Sequence, residues 1–211
     1  MFDATNIALF LAAATTLAVT PGPGIFYVAS RTVAGGRAEG ISSSLGNGIG
    51  GMAHVAAGSA GVAALVLASA ELFAALKWIG VVYLIWLGVR TYRAAGASAD
   101  VPALQASGSA RAFREGIVVE LLNPKTAAFF LAFIPQFIDP SRADPAMQFA
   151  VLGTISVALN TAADIAVAYA ASSLRMAFAT NSRTIRRLRQ ASAFGLISLG
   201  FGLALAKRPG G

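Results

Sequence analysis

The stretch NIALFLAAATTLAVTPGPGIFYVAS, residues 6–30, decides the fold. It holds no charged residue, and the charge-free run extends from Asp3 to Arg31. A helix needs roughly 20 apolar residues to cross about 30 Å of hydrocarbon, so this block is long enough to span a bilayer. No basic segment precedes it, and it runs too long for a cleaved signal peptide, so it reads as a first spanning helix. Between Glu39 and Glu71 the only ionisable side chain is His54.

Across the chain 56% of residues are hydrophobic and 12% are charged. A soluble domain carries about twice that charge, and this many apolar blocks leaves too few residues for a polar exterior. Continuous apolar runs, in place of short alternating strands, exclude a porin-type barrel. Six blocks emerge, at about 6–30, 40–70, 72–89, 113–138, 146–174 and 190–206. The reading is an all-α polytopic membrane protein with six transmembrane helices, arranged as two inverted three-helix repeats with helices 1 and 4 broken. One membrane domain covers 1–211, with a first repeat at 1–93, a cytoplasmic loop at 94–112 and a second repeat at 113–211. The small, polar and Pro-containing composition of 94–110 predicts a flexible central loop.

Basic residues set the orientation. Arg31, Arg37, Arg90, Arg93, Arg111, Arg114, Arg175, Arg183, Arg186, Arg187 and Arg189 fall in the odd loops. Lys77, Arg142, Lys207 and Arg208 fall on the other side. That excess puts the odd loops in the cytoplasm and both termini outside. The net charge of +7 is therefore read as topology and as contact with anionic lipid, not as a nucleic-acid surface. There is no cysteine, one histidine and no paired acidic spacing, so no metal site and no cofactor is expected. No nucleophile, base and orienter stand at a recognisable spacing, which argues against an enzyme.

Two proline motifs carry the functional reading. In Thr20-Pro21-Gly22-Pro23-Gly24, each proline removes a helical donor, which frees the carbonyls of Leu17 and Val19. Two prolines with adjacent glycines favour unwinding over a mild kink. The alternative is a bend that only shapes packing. In Asn123-Pro124-Lys125, the proline frees the Glu120 carbonyl and pushes Asn123 away from helical angles. A lysine inside a span costs roughly 2.5–3.5 kcal/mol on insertion scales, so Lys125 is expected to face a partner or a wet cavity, unless it snorkels. Pro21 and Pro124 lie at similar expected depths, so the two breaks are expected to line one cavity.

His54, Glu120 and Asp164 are the candidate proton carriers, each also open to a pairing or packing role. Asn160 and Asp164 share a helical face. Gly46 and Gly50 have the spacing of a close-packing seam, with Asn47 between them.

These motifs resemble the LysE/RhtB family of bacterial amino-acid exporters. The resemblance runs from Thr20-Pro21-Gly22-Pro23 through Gly46, Gly50 and His54 to the L-L-N-P-K-x-x-x-F-F pattern at Leu121 to Phe130 and the P-Q-F segment at Pro135 to Phe137. It implies an inner-membrane permease that exports amino acids or their derivatives in exchange for protons, and an oligomer. Pro21, Gly22 and Pro23 match the first signature; Asn123, Pro124 and Lys125 match the second. Gly24 departs from it, since many relatives carry Asp or another polar residue there, and Glu120 and Asp164 are expected to make up the lost polarity. The expected chemistry has backbone carbonyls near Leu17, Val19 and Glu120, helped by Asn123, receiving the substrate ammonium, and Lys125 receiving its carboxylate. Two competing readings are a divalent-cation exporter of the same superfamily and a non-transporting membrane scaffold.

Overall fold

Asp3 starts the first helix by accepting the Thr5 amide on its carboxylate at 3.1 Å, an N-cap for α1 (Ala4–Val19). The helix stops at Thr20, whose extended backbone precedes Pro21. Pro23 then opens α2 (Pro23–Gly35) from the first-turn position, where its missing N–H costs nothing. Gly36 turns the chain with a φ of 83°, and α3 (Arg37–Leu67) follows. After α4 (Ala70–Ala94) come α5 (Ser109–Leu121) and α6 (Pro124–Ala128). Past α6 the helix widens into a π turn at Phe129–Phe133 and tightens into a 3-10 turn at Ile134–Phe137. The last two helices are α7 (Pro145–Ser173) and α8 (Ser182–Leu205).

This computed structural model describes residues 2–67, 70–94, 105–173 and 182–205, and over these the fold is all-α. The expected positions of Arg175, Lys207 and Arg208, and most of the central loop at 95–104, lie outside the described residues.

The expected six spans are not found. Among the described residues one helix, α7, is long and apolar enough to cross a membrane. Two bent pairs raise the number to at most three if each pair is one span: α1 with α2, bent by 43°, and α5 with Pro124–Phe137, bent by 42°. The prolines cut both apolar blocks into pieces too short to cross about 30 Å alone. In α8 only Ala193–Leu205 is apolar, because the helix starts among arginines. Over their described residues α3 and α4 do not qualify, although they are 31 and 25 residues long. The fourth block also begins earlier than its hydropathy indicates, so Arg111 and Arg114 belong to α5 and not to a loop.

Glycines build the centre. α3 lies between α5 and α7, and a Cβ on Gly46 or Gly116 would collide with the backbone of the facing helix. On its other face, Gly51 leaves room for Val157 and Gly58 for the Phe149 ring. Backbones can approach this closely only without side chains between them. Beside this layer, α4 packs on α8, and α1 on α7. Below the second break, Phe10, Phe129, Phe133 and Phe137 form an aromatic core; Phe129 stacks on Phe133 at 5.0 Å and Phe10 meets Phe137 edge-on at 5.4 Å.

Candidate functional site

The second break is held by its own side chains. Asn123 caps α6 by accepting the Lys125 amide at 3.1 Å, and its side-chain amide donates to Glu120 at 2.9 Å. Thr126 donates its hydroxyl to the other Glu120 oxygen at 2.6 Å. The carboxylate, on the last turn before the gap, is thus held by one donor in the gap and one beyond it. Glu120, Asn123, Lys125 and Thr126 are all buried.

Lys125 joins this break to the first. Its ammonium donates to the carbonyls of Leu17 at 3.1 Å and Thr20 at 2.9 Å. These are end-of-helix acceptors of α1: Pro21 removes the i+4 donor of Leu17, whose carbonyl also takes the Thr20 amide at 3.1 Å, and the break exposes the Thr20 carbonyl. Gly22 gives the bridge room, since a Cβ there would lie 3.2 Å from the lysine stem, tighter than ordinary contact.

Across the cavity Asn47 of α3 donates its amide to the Asp164 carboxylate of α7 at 2.7 Å. Gly24 faces both halves of this arrangement. A Cβ at that position would stand 3.0 Å from the Asn47 amide nitrogen and 3.0 Å from the Glu120 carboxylate. A side chain at 24 would therefore press on both Asn47 and Glu120. Between these groups is a cavity of about 20 Å³, lined by Gly24, Asn47, Glu120, Asn123, Lys125, Asn160, Thr161 and Asp164 among others. That is room for a water molecule and not for an amino acid.

The residues singled out by sequence separate into four groups. Glu120, Asn123, Lys125, Asn160, Asp164 and Asn47 line the cavity. Pro21, Gly22, Pro23 and Pro124 form the breaks without lining it, while Gly46 and Gly50 meet α5. His54 stands behind the site, with Nε2 at 3.1 Å from the Glu120 carbonyl, and so holds its proton on that nitrogen. The Leu17 and Glu120 carbonyls, expected to await a substrate ammonium, already accept from Lys125 and His54. Sequence reasoning missed Thr126 and Thr161; a hydroxyl just beyond a break, opposite a carboxylate just before it, was the available signal for Thr126.

Glu120 and Asp164 are the acidic members of the site and Lys125 its basic one; Asp164 is within electrostatic reach of both the others. Fully ionised, the three leave one negative charge unbalanced in a buried space, which is costly. One proton or one bound cation neutralises it. Among the described residues no three His, Asp or Glu side chains group as metal ligands.

Residues 15–208 match the family described as LysE type translocator. An uncharacterised membrane protein of Vibrio cholerae is 32% identical over 197 residues, which covers 93% of this chain and 94% of that protein. A homoserine/homoserine lactone efflux protein of Salmonella typhimurium is 33% identical over 151 residues, 72% of this chain and 73% of the relative. A leucine efflux protein of Klebsiella pneumoniae is 30% identical over 152 residues, 72% of each chain. No solved structure matches.

Proposed function

Because the chain belongs to the LysE type translocator family, we propose that it exports amino acids or amino-acid derivatives across a bacterial inner membrane in exchange for protons. The family makes it a membrane transport protein and not an enzyme, and efflux of amino acids or similar small solutes is the function the relatives support. Proton exchange is our reading of the site.

The observation that carries it is the charge of the cavity. Glu120 and Asp164 against Lys125 require one added positive charge, and a proton and a substrate ammonium compete for that place. The ammonium would displace the proton on the loading side; on the unloading side a proton would take the place of the departing ammonium. The protein thus alternates between a protonated form and a substrate-bound form, in which the ammonium lies between the two carboxylates and any substrate carboxylate is paired with Lys125. Two of the Lys125 hydrogens are engaged by Leu17 and Thr20, which leaves the third for a substrate carboxylate. An amino acid does not fit the present cavity, so binding requires the broken helices to move apart.

Orientation follows the charge pattern. Arg111, Arg114, Arg186 and Arg187 are exposed and suit an anionic cytoplasmic leaflet. The halves 1–93 and 113–211 read as related units, since each contains a helix pair bent at proline by nearly the same angle, 43° and 42°.

The test is efflux from proteoliposomes preloaded with a panel of amino acids, with and without an imposed proton gradient, for the wild type and a folded Asn123→Ala variant. Gradient-driven efflux of one amino-acid class, lost in the variant, is the expected result. Absence of gradient-driven efflux for every amino acid would overturn the reading.

A further inference from the structure

A second group of buried charges lies outside the cavity. Arg31 on α2 is 4% exposed, and all its nitrogens face protein. Nε donates to the Tyr27 hydroxyl at 3.0 Å, one terminal nitrogen to the Gln105 carbonyl at 3.2 Å, and the other to the Glu115 carboxylate of α5. Tyr27 donates to the same Glu115 oxygen at 2.9 Å. Glu39 at the start of α3 is 3% exposed and accepts the amides of Ser107 and Gly108 at 2.8 and 2.7 Å. Its second oxygen lies 3.9 Å from Arg31 and has no hydrogen-bond partner.

The position of this cluster is informative. α2, α3 and α5 carry Gly24, Asn47 and Glu120 into the cavity, and the same helices carry Arg31, Glu39 and Glu115 into the cluster. Along the three helices the separations are about 10, 12 and 7.5 Å at 1.5 Å per residue. All three run toward the same end, where α2 finishes and α3 and α5 begin. The cluster therefore stands over the cavity and ties residues 27–39 to residues 105–115.

We propose that the Arg31, Glu39 and Glu115 cluster is the gate closing the cavity at this end, and that it separates when solute enters or leaves there. The proposal rests on the cavity being a passage, as the transport reading has it. An apolar plug would seal as well, and replacing a buried ion pair with apolar packing is often neutral or stabilising. An apolar plug that parts exposes its surface to water, whereas separated ions recover hydration. Glu115, with its side chain 34% exposed, is the outer member from which water would enter, and the unpartnered oxygen of Glu39 is the first acceptor it would meet inside.

The chain has no native cysteine, so a single Ile25→Cys, on the cavity wall, reports access without background. The measurement is its labelling rate by a membrane-impermeant thiol reagent, applied from each face in right-side-out and inside-out vesicles. Arg31→Gln and Glu115→Gln are each expected to raise labelling at least tenfold from the cluster's face and to leave the opposite face unchanged. Arg31→Lys keeps the positive charge beside Glu39 and Glu115 and should leave the rate closer to that of Ile25→Cys alone than Arg31→Gln does. Tyr27→Phe strands no charge and should raise it by a smaller factor, which keeps the test open if the charge variants fold poorly. An unchanged rate in folded variants, or an equal rise from both faces, would overturn the gate. No transported solute is read, so failure here is distinguishable from failure of the export reading.

Discussion

The ammonium of Lys125 donates to the Thr20 carbonyl at 2.9 Å, so a side chain from just after the second helix break closes the end of the helix before the first. Lys125→Met keeps an unbranched apolar stem beside Gly22 but removes the charge and its hydrogen bonds. Two bonds from a charged donor and the balance for Glu120 and Asp164 are lost together, about 3–5 kcal/mol for a broken buried pair. The thermal midpoint in detergent should fall clearly, and efflux should drop more than tenfold even below that midpoint. Undiminished efflux would remove Lys125 from substrate binding.

Gly24 and Glu120 compete for one space. Gly24→Asp alone places a Cβ 3.0 Å from the Glu120 carboxylate and adds a third negative charge, so it should unfold more easily and transport poorly. Glu120→Asn alone removes the charge and shortens the side chain, so Thr126 and Asn123 lose the two carboxylate oxygens they donate to. Combined, the new carboxylate takes the vacated place, and a double-mutant cycle on stability should show coupling of about 1–3 kcal/mol. Additive effects would show that the two positions are independent.

How much of this was legible in sequence depended on distance along the chain. The breaks at Pro21, Pro23 and Pro124 were readable because proline acts on its own turn. The bonds from Lys125 to Leu17 and from Asn47 to Asp164 join residues more than a hundred positions apart, and no local pattern announces them. Arg31, Arg111 and Arg114 read as loop charges that set topology. A loop arginine and a buried one look alike until the helices are placed, and α5 starts early enough to contain the latter two. The count of spans failed for two reasons: hydropathy averages over the breaks at Pro21 and Pro124, and over their described residues the blocks that form α3, α4 and α8 are not long and apolar enough as helices.

Asp164→Asn balances the cavity without a proton. Lys125 and Glu120 then neutralise each other, and nothing compels a proton to enter when the substrate leaves. Amino-acid exchange for amino acid should persist, while efflux driven by a proton gradient should fall at least tenfold. The pH dependence of the residual flux should flatten. Retention of full gradient-driven efflux would assign the coupling elsewhere, with His54 and Glu120 as the next candidates.

Gly46 and Gly61 lie on one helix, and opposite outcomes are expected from the same chemical change. A Cβ on Gly46 would strike the Phe113 carbonyl of α5, while one on Gly61 meets nothing within 4 Å. The Phe113 carbonyl is backbone and cannot rotate aside, so Gly46→Ala must push the helices apart, at a cost toward the upper end of the roughly 1–3 kcal/mol typical of overpacking. Gly61→Ala instead lowers the backbone entropy of the unfolded chain and should stabilise by about 0.5–1 kcal/mol. Thermal unfolding of the two variants in one detergent measures both signs. Because α5 also carries Glu115 and Glu120, the shift forced by Gly46→Ala should disturb efflux even at temperatures where the variant is folded, and Gly61→Ala should not. Equal stability for both would mean that the seam between α3 and α5 is looser than the backbone contact at Gly46 requires.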